Sequence, residues 1–452
     1  MTLHDFVVAA VPPDDARAAA ARAVLDTVGV TLAGAREPAA RIVQRIVVAS
    51  DHGPCAIVGS GLRASATDAA LANGTAAHAL DFDDMCFVSL AHPSAPLVSA
   101  ALAVGELVCA TGRALLDAYI VGFEIEGRLG RAMNPRHYQR GWHCTSTIGT
   151  IGAAAAAARL LELDAPAARH ALSIAASEAS GLKENFGTMV KPLHAGLAAR
   201  NGVVAALLAE AGMTASADAF EGEQGYLFAM DSERDRTSFA EFIADLGTRW
   251  EIVDTGITVK LYPSCAATHP TLDVLLELKR RERFGGEDVD RIDVGVDAIT
   301  PTVLIHDRPT NGLQAKFSMP FCAAAAAMYG RVGIDTFDER HVSDPALVNL
   351  RDRVAMHVDP ALDPSAPPLT QARVRVTLRN GNVLTAEAKG ARGYPERPAS
   401  DEDLGMKFTS CAALAMSSRD ADDLLAAIRE IDRAADVRAV TALLARDRVS
   451  TP

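Results

Sequence analysis

Hydrophobic and polar positions divide the 452-residue chain into three stretches of different periodicity. Up to about residue 270 the apolar positions recur at helical spacing. "PPDDARAAAARAVLDTVGVTLAGA" opens with prolines and aspartates, which favour a first helical turn, and runs on into alanines and spaced aliphatics. Helices are also predicted over "ATDAALANGTAAHAL", "APLVSAALAVGELVCATG", "ALLDAYIVGFEIEGRLGRAM", "TIGTIGAAAAAARLLEL", "PAARHALSIAASEAS" and "HAGLAARNGVVAALLAEAG". Several are apolar nearly all round, the signature of helices inside a large bundle, and their small residues permit close backbone approach.

Beyond about residue 270 the period drops to two. "DRIDVGVDAI" places Ile292, Val294 and Val296 on one face, and "VAMHV" repeats the alternation through Val354, Met356 and Val358. In "ARVRVTLRNGNVLTAEAKG" two strand-like runs flank Asn380-Gly381, a dipeptide suited to a two-residue hairpin turn. Helical patterns return in "SDEDLGMKFTSCAALA" and "DADDLLAAIREIDRAADVRAVTALLAR". The expected fold is mainly α. A large all-helical domain is built from both chain ends (1–262 and 396–452), with a smaller α+β domain (263–395) inserted between them.

Composition narrows the function. A net charge of −13 argues against a surface that tracks nucleic-acid phosphates, but leaves room for an anionic small molecule held by a few cations. The seven cysteines are scattered without the short spacings of a zinc or thiol-redox motif, so they read as reduced thiols of a cytoplasmic protein. "MTLHDFVVAAVPPDD" lacks the basic and apolar regions of a signal peptide, and "IGTIGAAAAAARLL" is too short to span a bilayer. No membrane partner is expected.

Five stretches combine ionisable residues with turn formers: "HALDFDDMCFVSLAHPS", "GWHCTSTIGT", "NFGTMVKPLHAG", "VKLYPSCAATHP" and "QAKFSMPF". Each residue also has an ordinary structural reading. Asp83 or Asp84 can cap a turn, His143 can be a satisfied core histidine, Lys191 can cover apolar neighbours with its stem, and Cys265 can be a small buried group. His78 and His92, fourteen positions apart, lack zinc-ligand spacing, and Asp81, Asp83 and Asp84 lack the pattern of a calcium loop. No Gly-x-Ser-x-Gly elbow, dinucleotide fingerprint or phosphate loop is present. What remains is acid/base chemistry by histidine and aspartate, with lysines holding negative charge. That combination suits elimination, decarboxylation or epimerisation of a small polycarboxylic acid, with no metal and no organic cofactor.

The blocks "HALDFDD…HPSAP", "GWHCTSTIGTIGAAAAAARLL", "NFGTMVKPLHAGLAARNG", "KLYPSCAATHP", "KFSMPF" and "GYPERPASDEDLGMKF", in this order, resemble the MmgE/PrpD family. The resemblance runs from the first helix to about residue 445. It implies a homodimer of two-domain chains with a cleft between the domains, acting on a small anionic carboxylate. It places proton transfer on His92 and His143, with Asp83 orienting or charging a histidine. Lys191 and Lys260 fall at carboxylate-binding positions, and Tyr262 and His269 at substrate-contact positions. The implied activity is a 2-methylcitrate dehydratase-like lyase working by α-proton abstraction and elimination. The alternatives are epimerisation or decarboxylation, as in iminodisuccinate epimerase or cis-aconitate decarboxylase, and a non-catalytic carboxylate-binding protein. His78, Asp81 and Asp84 are expected to serve as caps. The apolar run "MCFVSLA" departs from the dehydratases at Met85, Cys86 and Phe87, which points to an altered substrate pocket.

Overall fold

The alanine- and glycine-rich segments form long helices. In chain order these are α1 (Asp14–Gly34), α2 (Pro38–Ser50), α3 (Ala66–His78), α4 (Ser94–Val108), α5 (Gly112–Met133), α6 (Cys144–Leu160), α7 (Ala165–Glu178), α8 (Val190–Glu210), α9 (His269–Glu282), α10 (Met319–Tyr329), α11 (Asp401–Ala412) and α12 (Ser418–Arg429). The computed structural model describes residues 1–50, 53–230, 239–362 and 370–445; the last positions of the expected C-terminal helical segment, 446–452, lie outside these. Contacts divide the chain into two units. One comprises Met1–Asn185, Met189–Ile257 and Asp401–Pro452, and the other Phe186–Thr188 and Thr258–Ser400.

The first unit is a helical bundle with one short antiparallel hairpin, β1 (Cys55–Ile57) and β2 (Leu62–Ala64). Helix α6 lies at its centre, every residue buried except Arg159. Alanine contributes little apolar area, so the packing relies on close approach and many short dispersion contacts. The crossing of α3 and α8 shows this best. A Cβ on Gly74 would stand 2.9 Å from Ala195 O and Gly196 Cα, and one on Gly196 would run into Leu71 O and Thr75. Ala77, Ala95 and Ala195 then meet as one cluster from α3, α4 and α8. This crossing sets the end of α3 against the first turn of α8.

The second unit carries a four-stranded sheet in the order β4-β3-β5-β6 (β3 Val289–Val296, β4 Val354–Val358, β5 Ala372–Leu378, β6 Val383–Ala388). Strands β3 and β4 are parallel, and the other pairs antiparallel. Ala372, Val374, Val376 and Leu378 turn inward along β5 while Arg373 and Arg375 turn out, with α9 packed on β5 and β6. Two details differ from the sequence reading. The edge strand β4 is half-buried to exposed throughout, because it pairs only with β3 and packs no full face. The β5–β6 connection is a three-residue loop, Arg379 to Gly381. Leu378 N donates to Asn382 O (2.8 Å), Gly381 N to Leu378 O (2.9 Å), and Gly381 takes φ +88°. A type I turn followed by a left-handed glycine needs one residue more than the two-residue hairpin.

Candidate active site

His78 is the last residue of α3, and the Gly74–Gly196 crossing brings it to Lys191 in the first turn of α8. Lys191 Nζ lies 2.7 Å from His78 Nε2, and His78 Nδ1 lies 2.7 Å from Asp83 Oδ2. An ammonium only donates, so His78 Nε2 accepts and Nδ1–H donates to the carboxylate. His78 is therefore a neutral imidazole of fixed tautomer.

Lys191 also donates to Asp81 Oδ1 at 2.6 Å. Asp81 takes φ +52°, a left-handed conformation that short acidic side chains tolerate, and it turns the chain sharply after α3. His92 faces the same carboxylates, with Nδ1 3.4 Å from Asp83 Oδ2 and Nε2 3.9 Å from Asp81 Oδ1. Its backbone N–H donates to Thr145 Oγ1 at the start of α6 (3.0 Å). Two further clasps hold the connection between α3 and α4. Lys407 of α11 donates to Phe82 O (2.7 Å) and pairs with Asp26 of α1 (2.7 Å). Asp84 accepts from Ser94 N (3.2 Å) and pairs with Ser94 Oγ, itself 2.6 Å from Tyr119 Oη.

His143 precedes α6, its backbone N–H donating to Gly181 O (3.0 Å). Its ring stacks on His78 (centroids 5.7 Å apart, planes at 25°), and its Nδ1 lies 3.0 Å from His194 Nδ1. His78, Asp81, Asp83, His92, His143, Lys191 and His194 are all buried.

Burial and charge set the protonation of this group. Burial alone would raise the Asp83 carboxyl, but His78 and His92 beside it hold it well below the usual carboxylate range. Burial lowers His78 against the pull of Asp83. Burial, reinforced by Lys191 and His78, holds His143 well below an ordinary histidine, and burial with the same neighbours brings His194 down to about 4. The imidazoles of His143 and His194 are thus neutral near pH 7.

The donor atoms of His78, Asp81, Asp83 and His92 lie within 4.8 Å of one another, a set that sequence spacing did not reveal. Such a set can accept a divalent cation. Here the Lys191 ammonium supplies positive charge directly to Asp81 and His78.

The structure therefore gathers Asp83, His92, His143 and Lys191 from the sequence-based candidates. Lys260, Tyr262 and His269 lie in the second unit. Lys260 is fully buried. Tyr262 Oη donates to Asp273 Oδ1 (2.6 Å) and receives Arg392 (3.3 Å). His269, at the start of α9, lies 3.2 Å from Ser264 O and packs edge-on against Tyr262. Lys316 donates to Pro263 O (3.0 Å) over the Phe337 ring. In the apolar run, Cys86 is buried and bridges backbone to Ala91, whereas Met85 and Phe87 are half-buried.

Three members had no chemical role in the sequence reading. His78 and Asp81, read as caps, are the centre of the cluster. His194 lies in the candidate stretch "NFGTMVKPLHAG" beside Lys191 but without a role of its own there; the signal for one is that it follows Lys191 by three positions, on the same helical face. The structural reading of Asp84 fits its contacts with Ser94. Burial, opposed by Ser94, pushes Asp84 up to about 8. The unfolded chain loses this proton near pH 4, while the folded chain keeps it until about 8. Stability from this group is therefore intact below pH 4 and falls as pH rises towards 8. Asp84→Asn is expected to gain on the wild type progressively from pH 5 to 8 in urea unfolding; parallel curves would refute the assignment.

Comparison with known proteins gives the family. The MmgE/PrpD N-terminal domain matches residues 4–238 and the MmgE/PrpD C-terminal domain residues 262–433. The chain belongs to the MmgE/PrpD family. Similar proteins include cis-aconitate decarboxylase of Mus musculus, 28% identical over 440 residues (94% of this chain, 88% of that protein). The Homo sapiens enzyme is 28% identical over 439 residues (94% and 89%), and that of Aspergillus terreus 25% identical over 454 (96% and 92%). These relatives are lyases, and the chain is an enzyme of that class. Among the described residues no single helix is long and apolar enough to cross a membrane.

Proposed function

We propose that the chain removes carbon dioxide from a small unsaturated tricarboxylic acid of the cis-aconitate kind, with His92 and His143 moving the protons and no bound metal or organic cofactor. The observation that carries this reading is the buried array in which His78 links Lys191 to Asp83 while His92 and His143 flank its ring. Asp83 beside His92 stabilises an imidazolium, so His92 is the proton donor. His143, kept neutral by burial and by Lys191, is the base. A bound polycarboxylate brings negative charge next to both rings and raises their proton affinity, so basicity increases when substrate arrives.

In decarboxylation the bond to the departing carboxylate breaks and its electron pair stays on carbon, delocalised into the adjoining unsaturated carboxylate. The His92 imidazolium then gives its proton to that carbon, and His143 Nε2 takes the proton of the carboxyl group that departs as carbon dioxide, so one proton leaves the substrate and one arrives. Lys191 stabilises the developing negative charge while Asp81 and His78 hold it in place. Lys260, Tyr262 and His269 keep the substrate-contact roles that the family pattern gives them. We assign the two contact-defined units to the family's two domains, and propose a homodimer in the cytoplasm, in keeping with the free cysteines.

The names of the relatives favour decarboxylation. The presence of two imidazoles of opposite tendency favours a second reading, loss of water from a hydroxy acid, which needs both a base and an acid. Carbon-13 NMR of cis-aconitate, citrate and 2-methylcitrate incubated with the purified chain, with and without EDTA, separates them. Carbon dioxide release that persists in EDTA is expected. A new alkene without carbon dioxide would establish the dehydratase, and proton exchange without conversion an epimerase. No change in any substrate would sink the reading.

A further inference from the structure

The contact between His143 and His194 has a chemical consequence beyond the proton-transfer roles above. Their Nδ1 atoms lie 3.0 Å apart, with ring centroids at 5.2 Å and planes at 51°. A hydrogen bond between two imidazole Nδ1 atoms holds one proton: one nitrogen donates and the other accepts. Two protonated Nδ1 atoms would oppose each other, and two bare ones would repel through their lone pairs. The state of one ring therefore dictates the state of the other.

The backbone of both residues is held in place. His143 is pinned through its backbone N–H to Gly181 O (3.0 Å), and its carbonyl accepts from Ser146 N (2.9 Å) and Thr147 N (3.1 Å) in the first turn of α6. His194 rides on α8 one turn beyond Lys191, with its carbonyl receiving Ser146 Oγ (3.4 Å). These bonds fix the backbone that carries each ring, and the Nδ1–Nδ1 contact, with His143 also stacked on His78, sets how the two rings face each other. The neighbouring Lys191 ammonium also disfavours a second positive charge on this pair.

We propose that His194 is a positioning residue that holds His143 in the Nδ1–H tautomer, so that His143 Nε2 presents a lone pair as the catalytic base. His143 Nδ1–H donates to His194 Nδ1, and His194 carries its own proton on Nε2. When His143 Nε2 takes a proton from substrate, His194 Nδ1 remains an acceptor for the resulting imidazolium. The bond strengthens as charge develops, and the pair needs no rearrangement during the step. This rests on the reading of His143 as a base, and its first test is independent of activity.

The test is nitrogen-15 NMR of histidine-labelled, substrate-free protein at pH 7, with the His143 signals identified by their loss in His143→Asn. The wild type is expected to show a protonated Nδ1 and a bare Nε2 on His143. His194→Leu is expected to move the proton towards Nε2, whereas His194→Asn, whose side-chain oxygen reaches the Nδ1 position, is expected to keep the wild-type pattern. Steady-state kinetics should follow the same order. His194→Leu loses about 100-fold in kcat with KM within about threefold, and His194→Asn keeps most of the wild-type kcat. A protonated Nε2 in the wild type would overturn the proposal. So would an unchanged His143 spectrum in His194→Leu, or a KM effect with kcat intact. If His194→Leu fails to fold, the wild-type spectrum and His194→Asn still decide.

Discussion

Lys191→Met is expected to lose turnover by at least about 10³-fold and to lose about 3–5 kcal/mol of stability, the cost of stranding a buried charge. The stability loss follows from where the ammonium sits. Lys191 and Asp81 are both buried and 2.6 Å apart, so removing the lysine takes the ion pair from a buried carboxylate and the donor from His78 Nε2. The double variant Lys191→Met/Asp81→Asn distinguishes the two contributions. It should recover most of the lost stability in urea unfolding and none of the activity. Equal destabilisation in single and double variants would mean the pair is not the reason. Recovered activity in the double variant would remove Lys191 from the reaction.

His143→Asn is expected to lower kcat by about 10²–10⁴, the range for removing a positioned general base. Stability should change by only about 1 kcal/mol, because the asparagine amide reaches the Nδ1 position and keeps a hydrogen bond to His194 while Nε2 is lost. Parallel urea and kinetic measurements check this. Wild-type kcat in a folded His143→Asn protein would take His143 out of the mechanism.

The extent to which the sequence revealed this site depends on distance along the chain. Period-two and period-3.6 patterns are local, so the long helices and strands β3, β5 and β6 were legible from residues such as Ile292, Val294, Val374 and Val376. The candidates Asp83, His92, His143 and Lys191 stood out because each lies in a turn-bounded block that resembles a family pattern. His78 did not, since nothing within a few residues of it distinguishes a helix-end histidine from a cap. Its role arises from the Gly74–Gly196 crossing, which joins segments more than a hundred residues apart. His194 depends on the same kind of distant contact, with His143 just ahead of another helix. The β5–β6 loop differed by one residue because Asn-Gly suits both hairpin lengths, and the pairing of Leu378 with Asn382 decides between them.

The most direct measurement is mass spectrometry of the product formed from cis-aconitate in deuterated water, comparing wild type with His143→Asn and His92→Asn. One carbon-bound deuterium per product molecule is expected from the wild type, with turnover reduced at least about 100-fold in both variants. A product without deuterium, or full turnover in both variants, would contradict proton transfer to carbon by these buried histidines.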